Sequence, residues 1–160
     1  MSDKAVLLDR IMAVMEAAFD PHYGEAWNRR QVSDALAMPS THALVVDEAG
    51  RDLSGNNDED GHDAAGFVLT RAAVDEEELL LIAVMPRWRR TGLGAKLIER
   101  LFEKAAKRGT RRIFLEMRRG NPAEYLYRAF GFEPIGKRPD YYRLSDGSRE
   151  DAITFGRQIA

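Results

Sequence analysis

The chain has 160 residues, of which 44% are hydrophobic and 31% charged, as expected for one compact domain over residues 1 to 160. It contains no cysteine, which excludes disulfides, thiolate metal ligands and a cysteine nucleophile. No apolar stretch approaches the roughly 18 residues of a membrane helix. The start at Met1 is polar and unlike a secretory signal, so we expect a cytoplasmic protein without membrane association. His22, His42 and His62 lack ligand-like spacing, and no metal is expected.

The first half of the chain contains two predicted helices and two predicted strands. Apolar residues at helical spacing predict a helix over Ala5 to Phe19 and a shorter one over Trp27 to Met38. Strands are predicted at Ala43 to Val46 and Ala65 to Arg71. The polar segment between them, Asp47 to Asp63, is predicted to be an exposed, mobile hairpin loop.

The second half alternates between strands and helices. A nearly continuous apolar run from Glu78 to Met85 predicts a central strand covered on both faces. Apolar residues every four positions from Leu93 predict an amphipathic helix capped by Gly109. The remaining predicted elements are a strand, a helix closed by Gly131 and a final strand, over Arg112 to Arg118, Pro122 to Phe130 and Ala152 to Ile159. This order favours an α/β fold with a mixed sheet and helices on both faces.

The junction between the apolar strand and the amphipathic helix carries the strongest chemical signal. In it, Arg89 and Arg90 precede the two glycines Gly92 and Gly94. Glycine lets backbone N–H groups approach a ligand, and the helix N-terminus adds its positive dipole end, so this segment suits a phosphate. It lacks the P-loop pattern and the third glycine of the dinucleotide fingerprint. Physics alone leaves an anion site and a plain tight turn equally open.

Arg89 to Gly94 resembles the [QR]-x-x-G-x-[GA] pyrophosphate loop of the GCN5-related N-acetyltransferases. Further segments are similar to the bacterial ribosomal-protein-alanine N-acetyltransferase branch of that family: Ile82 to Val84, Leu115 to Arg118, Leu126 to Phe132, and a tail with Arg138 to Tyr142, Asp146 to Gly147 and Glu150 to Ala152. The likeness is strong over residues 78 to 155 and thin before them. It implies a GNAT-like fold whose sheet splays between its fourth and fifth strands, with acetyl-CoA lying in the split as co-substrate.

The resemblance also implies which residues bind acetyl-CoA. Those expected to contact its acetyl and pantetheine portion through backbone atoms are Ile82, Ala83 and Val84. Those expected to hold its pyrophosphate are Arg89, Arg90, Thr91, Gly92, Leu93, Gly94 and Ala95. Asn121 resembles the family's cofactor-contacting asparagine, although it stands six rather than seven residues before Tyr127. An equal alternative makes Asn121 a helix N-cap followed by Pro122 at the first helical position.

Acetyl transfer to an amine requires a base and an acid, because the amine must be neutral to attack and the thiolate must be protonated to leave. The resemblance implies that Glu116 is the base and Tyr127 the acid. Alternation along the predicted strand places Glu116 and Arg118 on the same face. An ion pair with Arg118 is therefore the alternative role of Glu116, and a place in the core is the alternative for Tyr127.

The resemblance implies an acceptor as well, the N-terminal alanine of a small-subunit ribosomal protein. Freeing an α-amine of pKa about 8 at pH 7 costs about 1.4 kcal/mol, against about 4.6 kcal/mol for a lysine near 10.4, which favours an N-terminal amine. Residues 1 to 85 contain 17 acidic and 6 basic side chains. The acidic run Asp75 to Glu78 is expected to lie on the acceptor's approach and to favour a basic protein N-terminus.

Other functions remain open at this point. One is acetylation of a small amine such as a polyamine or an amino sugar, and another is acyl-CoA binding without catalysis. Residues 86 to 119 contain 12 basic and 3 acidic side chains, but the whole chain is acidic and shows no recognised nucleic-acid-binding motif. Direct nucleic-acid binding is therefore not expected.

Overall fold

The computed structural model describes residues 3–53 and 63–160. The helices are α1 (Asp3–Ala18), α2 (Arg29–Leu36), α3 (Leu93–Lys107) and α4 (Glu124–Ala129). The strands are β1 (Thr41–Val46), β2 (Gly66–Ala73), β3 (Glu76–Val84), β4 (Arg112–Arg118), β5 (Glu133–Arg143) and β6 (Arg149–Gln158). Short 3₁₀ turns lie at Pro21–Tyr23 and Pro86–Trp88. None of the helices described here is both long and apolar enough to cross a membrane.

The predicted helices and strands are present, with shifted ends. Helix α2 begins at Arg29 rather than Trp27, because Asn28 and Gln31 form a reciprocal capping box at that point. Strand β5 is absent from the prediction. It contains Pro134 and Pro139, and nearly all its side chains are exposed, so it lacks the apolar alternation by which a strand is recognised.

The strands form one mixed sheet in the order β1-β2-β3-β4-β6-β5. Among the described strands, only the β3–β4 contact is parallel, and its pairing runs from Glu76 with Arg112 to Leu79 with Leu115. Beyond that point β3 stays paired with β2 and β4 with β6, so the two central strands diverge and leave a gap. The predicted fold class is confirmed. The split lies between the third and fourth of the described strands, not between the fourth and fifth as the resemblance implied.

A β-bulge in β3 lies where the gap begins. Leu69 of β2 pairs with Leu81 and Thr70 pairs with Leu79, which leaves Leu80 as an additional residue. An extra residue reverses the side-chain alternation of a strand. Leu79 accordingly packs beneath α3, whereas Leu81 packs toward α1 and α2. The bulge therefore changes which β3 side chains face each layer at the edge of the gap.

Helices cover both faces of the sheet, as predicted. Leu97 and Leu101 of α3 belong to an apolar cluster on one face, and Ile11 of α1 and Val32 of α2 belong to a second cluster on the other. Gly109 takes a positive φ of 85° directly after the α3 C-cap, which confirms its predicted role as a helix terminator.

The prediction of an exposed loop over Asp47 to Asp63 is wrong for the first part of that segment. Asp47 is fully buried and accepts hydrogen bonds from two backbone N–H groups of the following turn, both at 2.9 Å. Leu53 is also buried. An acidic side chain is tolerated here because backbone donors satisfy it. Residues 54–62 of the predicted loop lie outside the described residues.

Candidate active site

Two cavities border the gap between β3 and β4. One, about 300 Å³ in volume, is lined by Glu116 and Met117 and is called the β4 cavity. The other, about 280 Å³, is lined by Gly94 at the start of α3 and is called the α3 cavity. Phe19, Ile82 and Ala123 line both. Because the cavities share a wall, a molecule in one would adjoin a molecule in the other.

The α3 cavity ends at the glycine-containing turn. Arg90 and Gly92 take positive φ values of 63° and 84°, which turns the chain sharply into α3. A Cβ atom added at Gly92 would meet nothing within 4 Å, so the surface above this turn is open. The first N–H groups of α3 have no intrahelical partner and lie at the positive end of the helix dipole. This geometry suits an anionic group.

The predicted acetyl-CoA residues lie in different surroundings, and Ala95 on α3 is half-buried. Those that line the α3 cavity are Ile82, Ala83, Val84, Arg89 and Gly94. Arg90, Thr91 and Gly92 are exposed on the turn, and Leu93 is buried in the core, so Leu93 can offer only its backbone. Asn121 lines the β4 cavity instead.

Two side chains fix the shape of the turn. Nη2 of Arg89 donates a hydrogen bond of 2.7 Å to the carbonyl oxygen of Ala18, the last residue of α1. Oγ1 of Thr91 donates one of 2.5 Å to the carbonyl oxygen of Trp88. The side chain of Arg89 therefore joins α1 to the turn as well as lining the cavity.

Close packing of α3 against α4 favours a small residue at Gly94. A Cβ atom there would lie 3.2 Å from Cδ2 of Leu126, which is tighter than ordinary van der Waals contact. Leu126 belongs to the helix that carries Tyr127. The glycine thus brings the start of α3 close to that helix.

Glu116 lies on β4 with its side chain 20% exposed. Its Oε2 lies 3.0 Å from Nε of Arg138 on β5 and accepts a longer hydrogen bond, of 3.5 Å, from Oγ1 of Thr154. The alternative pairing with Arg118 does not occur, because Arg118 pairs with Glu25. Glu116 is therefore a tethered carboxylate that faces the β4 cavity.

Tyr127 lies in the core and at the wall of the β4 cavity. Its side chain belongs to the core cluster beneath α3 and makes an edge-to-face contact with Phe132 at 5.7 Å. It also lines the β4 cavity. Burial, and secondarily the nearby charge of Glu25, raise the pKa of its hydroxyl well above the ordinary tyrosine value. The hydroxyl therefore keeps its proton at neutral pH and can serve as a donor.

Asn121 closes the turn that precedes α4. Its Oδ1 accepts a hydrogen bond of 2.9 Å from the N–H of Ala123, and its Nδ2 donates one of 3.3 Å to Oε2 of Glu25. The N-cap of α4 is Ala123, so the N-cap alternative for Asn121 is wrong. The intervening turn delays the start of the helix by two residues.

Two ionisable residues that line the β4 cavity were given no role by the sequence. Glu25 lies between the first 3₁₀ turn and α2, where its only local signal is a carboxylate beside Trp27. Tyr142 lies on β5. Burial first, then the charges of Glu116 and Glu25, raise the pKa of Tyr142 to about 12. The cavity thus combines two carboxylates with two phenols that stay protonated.

The predicted role of the acidic run Asp75 to Glu78 in the acceptor's approach stays a prediction, because the run lies apart from the lining of the β4 cavity. None of its four side chains lines the β4 cavity. Glu77 is fully buried and accepts hydrogen bonds from Nε and Nη2 of Arg108, at 2.9 and 2.8 Å. Burial alone would raise the pKa of Glu77, but these hydrogen bonds keep it below its ordinary value. The run includes a structural ion pair, and Glu25 and Glu116 supply the negative charge of the cavity.

Comparison with known proteins agrees with this geometry. The model of the acetyltransferase (GNAT) family matches residues 11–132. The [ribosomal protein bS18]-alanine N-acetyltransferase of Escherichia coli strain K12 is 41% identical over 97 residues, covering 60% of this chain and 65% of that protein. A putative enzyme of the same name from Bacillus subtilis strain 168 is 33% identical over 121 residues, covering 75% of this chain and 70% of its own length.

The similarity extends to three dimensions. The crystal structure of the Escherichia coli ribosomal-protein-S18-alanine N-acetyltransferase superposes with a TM-score of 0.76 at 28% identity, covering 96% of this chain and 88% of that one. The family match includes β3, the glycine-containing turn, β4 and α4. The chain therefore belongs to the GNAT family of acetyltransferases.

Proposed function

We propose that this protein transfers the acetyl group of acetyl-CoA to the N-terminal α-amine of a protein, and that its acceptor is the N-terminal alanine of a small-subunit ribosomal protein. One observation carries the catalytic part of the proposal. A carboxylate, Glu116, and a protonated phenol, Tyr127, line one cavity that shares a wall with the α3 cavity. The names of the relatives support the choice of acceptor.

The gap and the α3 cavity fit acetyl-CoA. The pyrophosphate would lie over the open turn at Gly92, against the first N–H groups of α3. The pantetheine arm would lie along the edge of β3 at Ile82 to Val84, where β4 no longer pairs with it. Backbone groups on that edge need partners, and an amide-containing chain supplies them.

The chemistry then divides between two side chains. The neutral amine forms the new C–N bond, and Glu116 accepts the proton that the nitrogen loses. As the C–S bond breaks, Tyr127 donates its proton to the sulfur and recovers one from solvent. A tethered carboxylate and a buried phenol match these base and acid roles.

Acceptor selectivity would come from charge. The β4 cavity contains two carboxylates, and one of the nearby cations, Arg118, is directed to Glu25. A peptide that begins with alanine followed by arginines should be acetylated on its α-amine, with kcat/KM falling as salt screens the exposed arginines of the peptide. Lysine side chains in that peptide should react far less, because neutralising them costs more.

The decisive experiment is intact mass spectrometry of host ribosomal proteins with and without the enzyme. The proposal predicts that one small-subunit protein gains the mass of one acetyl group, about 42 Da. Peptide sequencing should locate the added group at its N-terminal alanine. Acetylation of polyamines or amino sugars in place of peptides would make this a small-amine acetyltransferase. Binding of acetyl-CoA without thioester consumption by any amine would make it a binding module.

A further inference from the structure

We propose that Glu25 is the carboxylate that docks the acceptor amine in the β4 cavity, and that Arg118 and Asn121 are positioning residues that hold it there. This inference rests on the proposed function, because it assumes that an amine acceptor enters this cavity. It assigns binding of the ammonium form to Glu25. The ammonium then loses one proton to solvent, and Glu116 accepts the second proton as the C–N bond forms.

The carboxylate of Glu25 contacts Arg118 and Asn121, and these contacts leave part of its hydrogen-bond-accepting capacity unused. Its side chain is 18% exposed, with Oε1 3.5 Å from Nε of Arg118 and Oε2 3.3 Å from Nδ2 of Asn121. Both distances are at the long limit of direct contact. A carboxylate offers about four lone-pair sites, so Glu25 retains the capacity to accept hydrogen bonds from an ammonium group.

Arg118 is fixed by contacts other than that with Glu25. Its side chain is 9% exposed, its Cζ lies 3.7 Å from the centre of the Tyr23 ring, and its Nη1 donates a hydrogen bond of 3.2 Å to the carbonyl of Arg119. Its buried Nε has no hydrogen-bond acceptor among the described residues. A guanidinium stacked on an aromatic ring is a rigid support, so Arg118 can set the position of the Glu25 segment without neutralising it fully.

Glu25 lines the same cavity as Tyr127, the proposed proton donor. Asn121 donates a hydrogen bond to Glu25 and accepts one from the N–H of Ala123. The carbonyl oxygen of Ala123 in turn accepts a hydrogen bond of 3.1 Å from the N–H of Tyr127. The charge of Glu25 also contributes, after burial, to the raised pKa of Tyr127. An amine docked at Glu25 would therefore lie at the reacting end of the cavity. Glu116, by contrast, already has Arg138 at 3.0 Å.

The test measures an amine preference by binding rather than by turnover. With CoA present, two peptides are titrated: one begins with alanine, and the other carries a propionyl group in place of that alanine and so lacks the amine. Wild-type protein should bind the amine peptide roughly tenfold or more tightly, as expected for a charge-assisted contact. Glu25→Gln should remove this preference and leave CoA affinity unchanged. Glu103→Gln, an exposed change on α3, is the matched control and should retain it.

The positioning role has a separate readout. Arg118→Lys keeps the charge but removes the planar stack on Tyr23, and should raise KM for the peptide several-fold while changing kcat little. Thermal melts identify misfolded variants, and Glu25→Asp, which keeps the charge on a shorter arm, should retain part of the preference. The inference is overturned if wild-type protein shows no amine preference, if Glu25→Gln keeps it, or if Glu116→Gln alone removes it. Turnover of the alanine peptide by wild-type protein tests the proposed function independently of these outcomes.

Discussion

Nε of Arg138 lies 3.0 Å from Oε2 of Glu116, and this contact spans β6, which separates the two strands in the sheet. If Glu116 is the base, Glu116→Gln should lower kcat by about 10²–10⁴-fold with little change in acetyl-CoA affinity. Arg138→Gln should lower kcat less, and should have no further effect when Glu116 is already glutamine. Steady-state kinetics and calorimetry measure both quantities, with the exposed Glu133→Gln as control. If Glu116→Gln keeps near wild-type turnover, Glu116 is not the catalytic base.

Glycine at position 92 should matter for binding more than for folding. Gly92 and Gly109 both take positive φ, of 84° and 85°, and a Cβ atom at either meets nothing within 4 Å. Alanine at each therefore introduces comparable backbone strain, about 1–2 kcal/mol. Gly92→Ala should weaken acetyl-CoA binding in a calorimetric titration, whereas Gly109→Ala should lose similar stability without losing affinity. Equal affinity in the two variants would argue against a pyrophosphate site at the turn.

Loss of the Tyr127 hydroxyl should slow release of the thiol. Because burial and then Glu25 raise the pKa of Tyr127, its proton remains in place across neutral and mildly alkaline pH. Tyr127→Phe should reduce kcat about 10²-fold or more and leave the melting temperature nearly unchanged, since the ring contact with Phe132 is kept. A thiol-release assay measures the rate. A fall in rate that merely follows loss of folded protein would show a structural role instead.

Breaking the buried ion pair Glu77–Arg108 should lower the free energy of unfolding far more than breaking a neighbouring surface ion pair. Arg108→Ala leaves a fully buried carboxylate without its cation and should cost about 3–5 kcal/mol of unfolding free energy. The control is Arg112→Ala, since Arg112 lies 3.5 Å from Glu76 with both side chains substantially exposed, and its loss should cost less than about 1 kcal/mol. Urea denaturation measures both. Similar costs for the two variants would contradict this account.

Tyr142 should contribute to alkaline sensitivity. Its pKa is raised to about 12 by burial and by Glu116 and Glu25, so the folded state holds this proton more tightly than the unfolded chain. The resulting stability is fully present below about pH 10 and is lost as the pH rises through 12. Tyr142→Phe should therefore lose less unfolding free energy than wild type between these values. Tyr125→Phe, an exposed hydroxyl on α4, is the control, and identical curves for wild type and Tyr142→Phe would refute the assignment.

Local patterns account for what the sequence could predict. The apolar run of β3 and the four-residue spacing of α3 are strong periodic signals, and the glycine-containing turn between them follows from its residue types. Strand β5 has no such signal, because its order depends on pairing with β6. Asp47 is buried because backbone N–H groups of its own turn donate hydrogen bonds to it. The hydrophilic composition of the segment does not show that these donors exist.

The part of the site that was missed depends on contacts between distant positions. Glu25 acquires its place from Asn121, 96 positions away, and from Arg118 at the end of β4. Nothing in the segment around Glu25 identifies those partners. Glu116 and Tyr127 were predicted from a resemblance to a known family, and their roles remain predictions.

The short pairing between β3 and β4 has a mechanical consequence. Four residue pairs, ending at Leu79 and Leu115, are the backbone pairing that joins the two three-stranded halves of the described sheet. An extended molecule bound in the gap would contact both halves of the sheet and restrain their relative rotation. Binding of such a molecule should therefore make the sheet stiffer around the gap. Amide hydrogen exchange in the second half of β3 should be slower with the molecule bound than without it.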